Sequence, residues 1–179
     1  NLNVFPVPDG DTGINMSLTM STVGQADENL PVGACADKVA GLMLRSARGN
    51  SGAILSLFFR GIGKALKGVE EAKAKELVEA FKRGTTEAYR AVMKPTEGTI
   101  LTVMRMAGEE AEKAYLANKR ISVKNLFKVL LEGARYALSQ TPEMLPVLKQ
   151  ANVVDAGGQG FVTMLKGMLA SLKGNDVAA

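Results

Sequence analysis

Two aspartates two residues apart, Asp9 and Asp11, with Gly10 between them and Gly13 just after, form the segment of this chain best suited to chemistry. Carboxylate oxygens on a tight loop are the ligands that Mg²⁺ prefers, and Mg²⁺ commonly shares its shell with phosphate oxygens. Pro6 and Pro8 stiffen the approach by fixing φ, and the glycines let the backbone bend around a ligand. A helical pattern opens near Asn15, which puts the amides of Thr12, Gly13, Ile14 and Asn15 at a helix N-terminus, where anions are favoured. A Pro/Asp/Gly turn that merely caps a helix would read the same in isolation.

Other residues narrow the options. The 179 residues contain no histidine and one cysteine, Cys35. That composition excludes a Ser-His-Asp triad, a His-ligated metal, an internal disulfide and a thiolate zinc cluster. The formal net charge is +4, but the cations are dispersed and aromatics are not interleaved with them, which argues against nucleic acid. No apolar run is long enough for a membrane span and no signal peptide is visible, so a cytoplasmic location is expected.

Three more glycine-rich breaks could join the first loop. Asn50, Ser51 and Gly52 follow Arg48-Gly49 at a helix start, and Gly98 and Thr99 follow Glu97 at another. Asp155, Ala156 and Gly157 lead a third break, read as a loop over 153–160 with three glycines in four residues. Each alone could be an ordinary capped turn. None ends in Gly-Lys-Ser/Thr and none follows a strand, so neither a P-loop nor a dinucleotide fingerprint is present.

The elements that must position these loops are helices, since hydrophobic residues make up 46% of the chain and recur with helical spacing. Helices are predicted over about 15–24, 32–47, from 51 to before 68, 72–93, 99–117, from an N-cap at Ser122, from a Thr141-Pro142 cap through Lys149, and after Gly160. Gly41, Gly61, Gly108, Gly133 and Gly167 fall inside them, which suggests close helix–helix approach. The chain is read as one domain over 1–174, lacking a preceding helix, with 175–179 as an exit towards further domains.

Taken together and in order, four stretches resemble the dihydroxyacetone kinase L-subunit family, of the DAK2 type. They are Leu2 to Gly13, Ala47 to Ser56, Met93 to Val103 and Val153 to Gly158. Within that family the chain is most similar to the N-terminal ATP-binding domain of the bacterial fatty acid kinase. The resemblance implies an all-α fold, an up-and-down barrel of about eight antiparallel amphipathic helices with the nucleotide at one rim. It implies ATP or ADP with two Mg²⁺ as cofactors, Asp9 and Asp11 as catalytic metal ligands, and Asn3 where the dihydroxyacetone branch has a third aspartate. Thr12 to Asn15, Asn50, Ser51, Gly52, Gly98, Thr99, Asp155, Ala156 and Gly157 are then the nucleotide contacts. Thr12 replaces a histidine of that branch, and Ala156 replaces a proline. The implied reaction is phosphoryl transfer to a fatty acid carboxylate, which needs no general base for its own deprotonation. A separate fatty-acid-binding protein would present it, further domains of the same chain would assist, and a homodimer could form through those domains. Two alternatives remain at this point: an ADP-holding L subunit of a phosphoenolpyruvate-dependent dihydroxyacetone kinase, and a regulatory module that binds nucleotide without transferring phosphate.

Overall fold

A computed structural model of the chain describes residues 10–26 and 29–174. The described residues are all helical, without strands: α1 (Thr12–Met20), a 3₁₀ turn (Val23–Gln25), α2 (Val32–Ser46), α3 (Gly49–Ala65), α4 (Ala74–Arg90), α5 (Ile100–Ala117), α6 (Val123–Met144), α7 (Pro146–Ala151) and α8 (Ala156–Leu172). The helices fall into two compact units, α1 to α4 in residues 11–95 and α5 to α8 in the unit that begins at Thr96.

In the unit of α1 to α4, α3 is the central element. Leu55, Phe58 and Phe59 recur at helical spacing and are buried. Phe58 meets Phe59 and Phe81 edge to face, with ring centroids 5.6 and 5.0 Å apart. α2 runs antiparallel to α3: Gly33 at the start of α2 abuts Leu66 just past the end of α3, and Gly63 lies against Ala36. The amides of Val32 and Gly33 donate to Glu70 and Val69, which closes that end.

The contact between α3 and α4 depends on two glycines. A Cβ on Gly61 would lie 2.6 Å from the Arg83 carbonyl oxygen, and one on Gly84 would lie 2.8 Å from the Phe58 carbonyl oxygen. Both obstacles are backbone and cannot rotate away. Gly61→Ala is therefore expected to destabilise this unit by about 2–3 kcal/mol, the cost of overpacking, despite alanine's better helix propensity. Urea unfolding checks this, and an unchanged midpoint would remove the close-approach explanation. Gly133 serves the same purpose in the other unit, where a Cβ would lie 3.2 Å from Ala107 Cα. Gly41 and Gly167 do not fit the close-approach expectation, because a Cβ there meets nothing nearer than 3.8 Å.

In the second unit α5 and α6 are antiparallel neighbours. Gly98 before α5 faces Thr141 and Leu145 at the end of α6, while Gly133 faces Ala107. α8 packs on both, and its Phe161, Val162 and Leu165 are buried. Ser122 caps α6 as expected, accepting from the Asn125 amide at 3.1 Å.

Three expected boundaries are corrected. The first helix begins at Thr12 rather than Asn15 and stops at Met20. α6 continues through Pro142 to Met144, so Thr141-Pro142 does not begin the seventh helix, which starts at Pro146. Proline leaves the Leu138 carbonyl without its helical donor, and the Thr141 hydroxyl supplies one instead at 2.7 Å. The supposed loop over 153–160 is already helix from Ala156. Its glycines bring the first turn of α8 close to its neighbours: a Cβ on Gly158 would lie 2.9 Å from Val103 Cγ2 and 3.1 Å from Leu138 Cδ1.

Candidate functional site

Asn3 and Asp9 lie outside the described residues, so the first loop is described from Gly10 onward. Gly10 has φ of 71°, a left-handed turn that glycine adopts without strain. It delivers Asp11 to the N-cap position of α1, where the Asp11 carboxylate makes no hydrogen bond to its own helix's amides. Thr12 is buried, Gly13 and Ile14 are exposed, and Asn15 is half-buried.

The first and second loops come together in one place. A Cβ on Gly49, at φ of 65°, would lie 2.5 Å from Asn15 Nδ2. One turn further on, Gly52 packs against Thr19, whose Oγ1 a Cβ at position 52 would meet at 2.3 Å. Thr19 is fully buried; its hydroxyl donates to the Asn15 carbonyl at 2.7 Å and accepts from the Arg48 amide at 3.0 Å. One hydroxyl thus ties α1 to the start of α3. Ser46 Oγ adds a bond to the Thr19 carbonyl at 2.6 Å.

As a result α1 and α3 begin side by side. Neither has an acidic residue in its first turn, and neither has a side-chain cap on its amides. Their first amides and aligned dipoles favour an anion. Asn50 is exposed and Ser51 half-buried, and the Ser51 hydroxyl has no partner among the described residues. Asp11 at the edge of the same corner is a hard oxygen donor of the kind Mg²⁺ takes. No group of three or more His, Cys, Asp or Glu side chains able to hold a metal occurs among the described residues. Of the expected metal ligands Asn3, Asp9 and Asp11, only Asp11 falls among the described residues.

The third and fourth loops also come together, in the other unit. Asp155 is only 5% exposed and caps its own helix by accepting from the Gly158 amide at 2.8 Å. It accepts from the Ile100 amide as well, the first of α5. Burial pushes its carboxyl up to about 6, and these two amides pull the other way. The Thr141 hydroxyl receives the Asp155 amide at 3.1 Å. Gly98, at φ of 84°, is buried, and its amide donates to Thr102 Oγ1 at 2.8 Å. Thr102 in turn bonds Glu97, which Arg105 also meets at 3.2 Å. Thr99 is buried and donates to the Thr96 carbonyl at 2.7 Å. Ala156 is half-buried and Gly157 buried at the start of α8. Lys149 pairs with Glu143 at 2.9 Å on the surface.

Thr19 was not singled out by the sequence, and Thr141 only as a helix cap, although each holds two loops in register. The available signal was a threonine on an apolar helical stripe, Thr19 three residues after Met16 and Thr141 three after Leu138. Periodicity marks such a position as buried but does not say which distant amide it will meet.

A family model for the DAK2 domain matches residues 6–170. Protein YloV of Bacillus subtilis is 46% identical over 179 residues, covering 98% of this chain and 32% of YloV. An uncharacterized protein of Staphylococcus saprophyticus is 46% identical over 183 residues, covering 100% of this chain and 33% of the relative. Another, from Staphylococcus aureus strain RF122, is 43% identical over 182 residues. The chain spans about a third of the length of these relatives. No described helix is long and apolar enough to cross a membrane.

Proposed function

Because the chain belongs to the DAK2 domain family, a kinase-related family, we propose that it is the nucleotide-binding part of a phosphotransferase that takes Mg²⁺·ATP. The observation that carries this reading is the joint start of α1 and α3, two first turns free of acids and side-chain caps beside the carboxylate of Asp11. The amides of residues 12–14 and 49–51 would receive phosphate oxygens, with the Thr12 and Ser51 hydroxyls as further donors. Asp11 would hold Mg²⁺ together with Asp9 and Asn3. When bound, that ion supplies charge neutralisation on the phosphate oxygens.

The acceptor belongs to the same proposal. The chain has no histidine to act as general base, which suits a nucleophile already ionised at neutral pH. A fatty acid carboxylate meets that condition. Its oxygen would bond to the γ-phosphorus as the bond to the bridging oxygen of ADP breaks, giving an acyl phosphate and ADP. A separate lipid-binding protein would present the acid, and the additional two thirds of the longer relatives leave room for domains that engage it. Positioning and charge neutralisation are the main demands of such a transfer.

Calorimetric titration of this chain with ATP, with and without Mg²⁺, tests the reading. Binding should be Mg²⁺-dependent and much weaker for AMP, which lacks the phosphates that the helix starts would receive. Absence of ATP binding in both conditions would overturn it.

A further inference from the structure

In the unit of α5 to α8, a groove between α6 and α8 encloses about 380 Å³ and takes no part in the nucleotide reading. Lys128 and Arg135 stand on its α6 side, and Lys166 and Lys173 on its α8 side. Each pair is seven residues apart, two helical turns or about 10 Å. All four side chains are exposed, and among the described residues none has a carboxylate partner. Leu131 and Leu169 line the groove between the two rows of cations and are only 6% and 7% exposed. Glu132 is the single acid.

We propose that this groove docks an acidic amphipathic helix of a partner protein. Two parallel rows of cations, two turns long, complement carboxylates repeated at i and i+7 on both flanks of such a helix. The apolar floor accepts the leucine-type side chains between those flanks. Four unpaired cations around one acid leave a local excess of positive charge that only an anionic occupant relieves. A bilayer fits less well, because the cations flank a groove rather than a flat face and Glu132 would meet the lipid phosphates. Nucleic acid fits less well too, since no aromatic side chain lines the groove and Glu132 would face the phosphates.

The test uses fluorescence anisotropy with a labelled synthetic helical peptide that carries leucine at i, i+3, i+4 and i+7 and glutamate on both flanks. A scrambled peptide of the same composition is the control, alongside phosphatidylglycerol vesicles and a single-stranded oligonucleotide. The amphipathic peptide should bind about tenfold or more tightly than the scrambled one. The double change Arg135→Glu and Lys166→Glu should weaken it at least about tenfold, and binding should fall with added salt. Far-UV circular dichroism and a thermal melt check folding, and the milder Arg135→Gln with Lys166→Gln replaces the reversal if it unfolds. The proposal is overturned if the peptide does not bind, or if scrambling or the charge changes leave its binding intact. Preferential capture of the vesicles or the oligonucleotide overturns it equally.

Discussion

Replacing Asp11 with asparagine is expected to weaken Mg²⁺·ATP binding by about a hundredfold, while binding of ATP in excess chelator changes by less than about threefold. The asparagine keeps the shape of the side chain, so α1 should start in the same place. What is lost is one negative charge beside a divalent cation, an interaction that holds only when the ion is present. The phosphate-directed amides of α1 and α3 remain, which is why metal-free binding should barely move. Two titrations of each protein, one with Mg²⁺ and one with chelator, separate the two contributions. Equal losses in both would mean that Asp11 supports the loop rather than the ion. No loss in either would remove Asp11 from the site and leave Asp9 to be tested alone.

The second large effect concerns stability. Asp155→Ala is expected to cost about 2–4 kcal/mol, because one carboxylate accepts from the first-turn amides of both α5 and α8. Both amides would then be left without that acceptor in a buried corner. The pH dependence has a definite sign. Burial raises the carboxyl from 3.8 to about 6 in the folded chain, so the folded state holds the proton more tightly than the unfolded one. Its stabilising contribution is fully present below about pH 4 and is lost as pH rises through about 6. Asp155→Asn cannot ionise, so the stability difference between wild type and this variant should shift against the wild type across that window and level off above it. Urea unfolding at pH 4, 5, 6 and 7 measures the difference. A difference that stays constant with pH would show that the two amides cancel the burial.

Much of the helical architecture could be read from the chain. The apolar stripes of α2, α3 and α4 are buried largely where periodicity placed them, and Ser122 caps α6 through the local hydrogen bond that its position implied. These features depend on residues within a few turns of one another, so sequence spacing is enough to define them. The boundaries that shifted did so because of distant partners. Pro142 looked like a helix start, yet the Thr141 hydroxyl satisfies the carbonyl that proline orphans, and the helix continues. Gly157, Gly158 and Gly160 looked like a loose loop, yet Asp155 caps them into helix and Gly158 allows contact with Val103 and Leu138.

The candidate site divides in the same way. Residue types alone determined that this chain carries paired aspartates, glycine-rich helix starts and no histidine, and hence which chemistry it can attempt. The order of those loops along the chain was sufficient to resemble the DAK2 family. Only tertiary structure decided that the Asp11 loop meets the Gly49–Gly52 helix start through Thr19, and that Asp155 joins the starts of α5 and α8. The physical reason is that a buried hydroxyl or carboxylate must find hydrogen-bond partners wherever packing brings them. Those partners lie tens of residues away, as Arg48 does from Thr19 and Ile100 from Asp155.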